Sequence, residues 1–192
     1  MKSRITLCAL LFALALLNLT TVLTAQEKTE PKPTFASVLD HQLSSVEKTV
    51  TGAADAMPEA KYEFAPTTPG EFKGVRTFGL EVKHMAVANY ALGAGILGEK
   101  PPIDLGGPNG PASIKSKAEI MKFLADSFVY AHKAVNSITE ANVLEPIKAP
   151  YGNAMTTRLG IGVSLVSHPF DHYGQMVEYL RMNNIIPPAS RQ

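Results

Sequence analysis

Cysteine is nearly absent from this chain of 192 residues: the only one is Cys8, and it lies inside an apolar N-terminal stretch. It is not placed like a lipobox cysteine, which would follow a small residue at the end of that stretch. A single thiol excludes an internal disulfide, and beyond residue 8 no cysteine sulfur is available to a metal. Charge is scarce as well. Charged residues make up 18 % of the chain, below the roughly 25 % of an average globular domain. The formal net charge is +1, so no global field favours nucleic acid or an anionic membrane surface. No internal repeat occurs, and no alternating strand pattern runs beyond a few residues. Apolar residues, by contrast, make up 45 % of the chain. That is enough for a real core, and the length suits one domain of roughly 100–200 residues.

The first residues read as an address. Lys2 and Arg4 supply a positive start, Ile5 to Leu17 is almost wholly apolar, and Leu23-Thr24-Ala25 precedes Gln26. This pattern predicts a signal peptide over 1–25, cleaved after Ala25, and hence a periplasmic or secreted protein. The apolar run is short for a membrane span of about 20 residues, so no stable span is expected after cleavage. Loss of Lys2 and Arg4 would take the formal charge from +1 to −1. A polar, proline-bearing linker is expected over 26–33, followed by one domain over 34–190. With no disulfide, such a domain is held by its core, or by its core and a metal.

Four helical stretches follow from periodicity. Phe35, Val38, Leu39, Leu43, Val46 and Val50 form the stripe of the first, which Pro58 ends. The second runs from about Thr77 to Leu97 with Leu80, Met85, Ala88, Leu92 and Ile96, and is weakened by Gly93 and Gly95. Residues 100–111 hold four prolines and three glycines, an irregular connection. Ser116 and Glu119 then fit a capping box opening the third helix, striped by Ile120, Phe123, Leu124, Phe128, Ala131, Val135 and Ile138. The fourth extends from about Thr157 to Asn183, and Pro187-Pro188 closes the domain. The fold class is therefore all-α, a four-helix bundle with metal sites available between facing helices. The fourth helix is apolar around more than half its circumference, which fits either a homodimer or a buried central helix.

Five histidines are present. His168 and His172 are four apart on the fourth helix, so their imidazoles leave it about 40° apart and can close on one ion. The best third donor is His84, mid-way along the second helix beside Met85 and Ala88. His41 follows Asp40 and His132 precedes Lys133, and both fit solvated positions. Three imidazoles leave a coordination position for water, the layout of catalytic zinc. The run His168-Pro169-Phe170-Asp171-His172 is not HExxH, because Pro169 stands where that motif has its glutamate. It resembles the inverted HxxEH pattern with Asp171 in place of glutamate, but too little chain follows for the further ligand. Glu81 and His84 form one ExxH, and the second motif that a dinuclear carboxylate site needs is absent. Pro169 either bends the fourth helix or follows a restart capped by Ser167. Asp171 and Gln175 fit either outer-sphere orienting groups or plain helix surface. Tyr173 and Tyr179 fit either substrate contacts or aromatic core.

The C-terminal run HPFDHYGQMVEYLRMNNIIPPAS resembles the last helix and exit of the DinB-like (DinB/YfiT) superfamily. That family carries an HxxxH pair, a YGQ- or RGQ-like step and a hydrophobic helix ending in Pro-Pro. The upstream run TPGEFKGVRTFGLEVKHMAVANY is similar to the family's second helix with its single ligand histidine. The resemblance covers about Thr34 to Ser190. It implies an up-down-down-up four-helix bundle and a three-histidine site whose ligands would be His84, His168 and His172. Characterised members include metal-dependent transferases of low-molecular-weight thiols and a thiol-dependent isomerase. By that likeness the chain is expected to bind one divalent metal ion (zinc, nickel or iron) and an unknown small-molecule substrate. It would act as a metal-dependent transferase or hydrolase, or else bind a metal or small molecule without turnover. A bundle whose histidines stay empty is the third reading. Any thiol would have to come from outside the chain.

Overall fold

In the computed structural model, which describes residues 32–67 and 73–191, Thr34 opens the first helix, α1 (Phe35–Ala56). The Thr34 hydroxyl accepts from the Ser37 amide, and the Ser37 side chain accepts in return from the Thr34 amide. This reciprocal cap satisfies two amides that the first helical turn leaves without partners. Met57 stands before Pro58 and adopts extended angles (φ −75°, ψ 123°), because the proline ring disfavours helical backbone at the residue ahead of it. The expected signal peptide and most of the linker lie outside the described residues.

Helix α2 (Phe78–Leu97) is capped by Thr77 and stopped by Gly98, whose φ of 69° suits a residue without a side chain. Helix α3 (Lys117–Asn136) opens on the Ser116/Glu119 capping box. All seven residues of its expected stripe, Ile120 to Ile138, are buried. Helix α4 (Arg158–Met182) is capped by the Thr157 hydroxyl and runs unbroken through Pro169. Ser167 therefore caps no restart. Apolar side chains at helical spacing drive all four helices inward, each fully buried Leu, Val or Phe contributing about 1.5–3 kcal/mol.

Side-chain proximities fix the helix directions. Gly79 lies against Ile120 and Gly93 against Tyr130, so α2 and α3 run parallel. Asp40 bonds to His132 while Asp55 and Met57 meet Lys117, so α1 opposes α3. Glu81 meets His172 and Gly95 meets Ile161, so α2 opposes α4. Leu39 lies against Gly162 and Gly52 against Pro188, so α1 runs with α4. The order is up-down-down-up, which requires a long return path between the parallel α2 and α3. Residues 98–116 make that return, and Lys83 pins them to α2 through the carbonyls of Pro111 (2.7 Å) and Ile114 (3.0 Å).

Three details differ from the sequence reading. A short antiparallel hairpin, β1 (Pro146–Lys148) with β2 (Met155–Thr157), precedes α4; three-residue strands are too short to show an alternating pattern. The helix hidden on nearly every side is α2, not α4. On α4, Val163 and Phe170 are exposed, as are Phe35 and Val38 on α1. The apolar arc of α4 is thus wider than its partners α1 and α2 can cover. Among the described residues, no helix is long and apolar enough to cross a membrane.

Candidate metal centre

Antiparallel packing of α2 on α4 brings His84 opposite the His168/His172 pair. One nitrogen from each ring lies within 4.8 Å of the other two. The Nε2 atoms of His168 and His172 are 3.2 Å apart. Two nitrogens bound to one zinc ion at about 2.1 Å and a tetrahedral angle would stand about 3.4 Å apart, so the spacing fits a shared ion. His84 meets the pair ring to ring, with centroids 5.2 Å from His168 and 4.7 Å from His172.

The outer nitrogens decide which lone pairs face inward. His84 Nδ1 donates to the Pro108 carbonyl at 2.7 Å, since a carbonyl can only accept. His172 Nδ1 donates to Glu81 Oε2 at 2.6 Å. In their neutral form both rings therefore turn an unprotonated Nε2 inward, the arrangement that orients metal-bound imidazoles. His168 Nδ1 is buried and finds no hydrogen-bond partner among the described residues, so beyond the Nε2 contact with His172 that ring is held by packing. Burial, with the nearby charge of His172 and His84, pushes the His168 pKa down to about 4. Burial also lowers that of His84, with Arg76 and His172 adding to the effect against the pull of Pro108. Neutral imidazoles are what a divalent cation requires.

Glu81, weighed in the sequence only as half of an ExxH motif with His84, stands behind His172 in this candidate centre. Its carboxylate is 2 % exposed. Burial alone would raise its pKa, but the bond from His172 and the charges of His172, Arg76 and His84 outweigh that and lower it. It stays ionised, with the Arg76 guanidinium 3.7 Å away and itself tied to Asn109. The sequence signal was its place one helical turn before His84, on the face that meets α4. Asp171 and Gln175 are exposed and approach each other only at 3.5 Å. Gln175 comes within 3.5 Å of His172 Nδ1, but Glu81 is far closer and charged. Tyr179 belongs to the core: it is buried, packs edge-on to Phe64, and donates its hydroxyl to the Arg76 carbonyl. Tyr173 is half-buried and packs against the core.

The other two histidines stand apart from this cluster. His41 is exposed. His132 is not the solvated position its neighbours suggested: it is half-buried between Asp40 (2.7 Å) and Glu47 (3.0 Å).

Beside the cluster opens a cavity of roughly 640 Å³, lined by His84, Val87, Leu105, Gly107, Pro108, Tyr151 and His168. The family model for the DinB superfamily matches residues 42–176, a span holding all three clustered histidines. The chain belongs to the DinB superfamily. A crystal structure of a DinB-like protein from Bacillus cereus ATCC 10987 superposes with a TM-score of 0.64, at 14 % identity. The match covers 78 % of this chain and 93 % of that one. At that identity the likeness is one of fold, an all-α bundle. No curated protein gives a significant match. Within this DinB-superfamily bundle, the resemblance read from the two histidine-bearing runs is upheld at the level of family. The three histidines it singled out form a cluster that can hold a metal ion.

Proposed function

We propose that this DinB-superfamily protein binds one divalent metal ion (zinc, nickel or iron) through His84, His168 and His172 and uses it in transferase or hydrolase chemistry. The observation that carries the reading is the inward turn of the ligand nitrogens, fixed by Pro108 behind His84 and Glu81 behind His172. Bound there, such an ion would polarise a substrate oxygen or lower the pKa of a bound water or thiol. Glu81 would hold the charge and tilt of His172. The Pro108 carbonyl would keep His84 in the correct tautomer, and the apolar wall of the cavity would exclude bulk water. A thiol nucleophile would be exogenous, since the only cysteine is Cys8.

A second reading, binding without turnover, has its own support. Apart from the histidines, no described side chain lining the cavity is an acid or base near neutral pH, so none of them stands ready as a general base.

Elemental analysis of protein purified without chelator tests the metal. The wild type should carry about one equivalent, lost in a still-helical His84→Ala/His168→Ala/His172→Ala variant. A wild type that stays metal-free after reconstitution with zinc, nickel and iron would refute the metal-dependent enzyme and leave a small-molecule-binding or structural bundle.

A further inference from the structure

The cavity beside the histidines has a chemistry of its own. Its walls come from three separate segments: Val87 on α2, Leu105, Gly107 and Pro108 on the return loop, and Tyr151 in the hairpin connection. Two of the three clustered histidines, His84 and His168, form its polar end. Among the described residues, no Asp, Glu, Lys or Arg lines it. Three charged groups nearby are committed elsewhere. Glu81 is sealed behind His172, and Arg76 is held by Glu81 and Asn109. Lys83 points into the return loop, bonded to two carbonyls. A ligand body carrying charge would lose hydration in this cavity and gain no partner. A hydrocarbon or aromatic body would lose only unfavourable contact with water. The volume suits one small organic molecule.

We propose that the site takes small molecules with an uncharged hydrophobic body and one metal-binding head group. The head would meet the ion at His84, His168 and His172, and the body would lie against Val87, Leu105, Pro108 and Tyr151. This rests on the metal reading above. It excludes small, multiply charged metabolites as the preferred ligands.

Hydroxamates of graded length test it on the cobalt-loaded protein, with metal content measured in the same sample. Acetohydroxamate reports an open coordination position through the cobalt visible spectrum. Butano-, hexano- and octanohydroxamate add only hydrocarbon, and succinohydroxamate adds a carboxylate. Affinity should rise by up to about fourfold per methylene, and succinohydroxamate should bind no better than acetohydroxamate. Leu105→Asn, at a half-buried lining position, and Tyr151→Ser, at an exposed one, should flatten that slope. If acetohydroxamate shifts the spectrum but affinity does not grow with chain length, the hydrophobic-body inference is overturned and the metal reading stands. Failure to retain cobalt, and zinc, nickel and iron alike, removes the metal reading and this inference with it; cobalt retained with no spectral response to acetohydroxamate overturns this inference alone.

Discussion

Glu81 carries more of the candidate centre than its burial among apolar neighbours suggests. Its carboxylate accepts a hydrogen bond from His172 Nδ1 and faces the Arg76 guanidinium. An ionised partner behind a ligand imidazole makes the inner nitrogen a better donor and holds the ring in place. Loss of such partners typically lowers metal affinity 10–100-fold. Glu81→Gln keeps an acceptor for His172 but removes the charge, so metal affinity should fall by roughly tenfold or more. Competition titration against a chelator measures this, and unchanged affinity would show that Glu81 is only packing. Residue-level reading of the sequence found the three histidines but considered only Asp171 and Gln175 as orienting groups, with plain helix surface as the alternative. Those two share the ligands' helix; Glu81 lies across the interface, and no local pattern reports on a neighbour 91 positions away.

At the scale of elements, the sequence was most legible where structure is local. Thr34, Thr77, Ser116 and Thr157 each cap the helix that follows. The stripe of α3 is buried throughout, because i, i+3 and i+4 neighbours share a face whatever the fold. Gly93 was legible only as a weak point in α2, yet it has a packing purpose. A Cβ there would sit 2.9 Å from the Tyr130 ring, and that ring is tethered by its hydroxyl to Glu99. Alanine would gain helix propensity of about 1 kcal/mol but overpack the α2–α3 contact by about 1–3 kcal/mol. Gly93→Ala should therefore be destabilising by up to about 2 kcal/mol in urea unfolding. A stabilised variant would show that Tyr130 moves aside freely.

Over the whole molecule, α1 and α3 are joined by a pH-sensitive clamp at His132. Burial alone would lower its pKa, but hydrogen bonds to Asp40 and Glu47, with their charges, raise it. The folded state thus binds the proton more tightly than the unfolded chain. That stabilisation is complete below the free imidazole value of about 6.5 and is lost as pH rises through the higher folded value. Asp40 and Glu47 are 34 % and 35 % exposed, so screening keeps the effect to about 0.5–1 kcal/mol. Wild type should lose that much stability from below pH 6 to alkaline pH relative to His132→Gln. Parallel pH profiles for the two proteins would rule the clamp out.

The sequence by itself determined the four helices, their caps and the placing of His168 and His172 on one face, because backbone hydrogen bonding and side-chain period act within a few residues. Tertiary structure alone decided the rest. Packing α2 antiparallel to α4 joined His84 to the pair and set Glu81 behind His172. The parallel run of α2 and α3 forced the return loop, whose Pro108 carbonyl orients His84 and whose Leu105 walls the cavity. These contacts link distant positions, and only the burial of the apolar stripes in a common core brings them together.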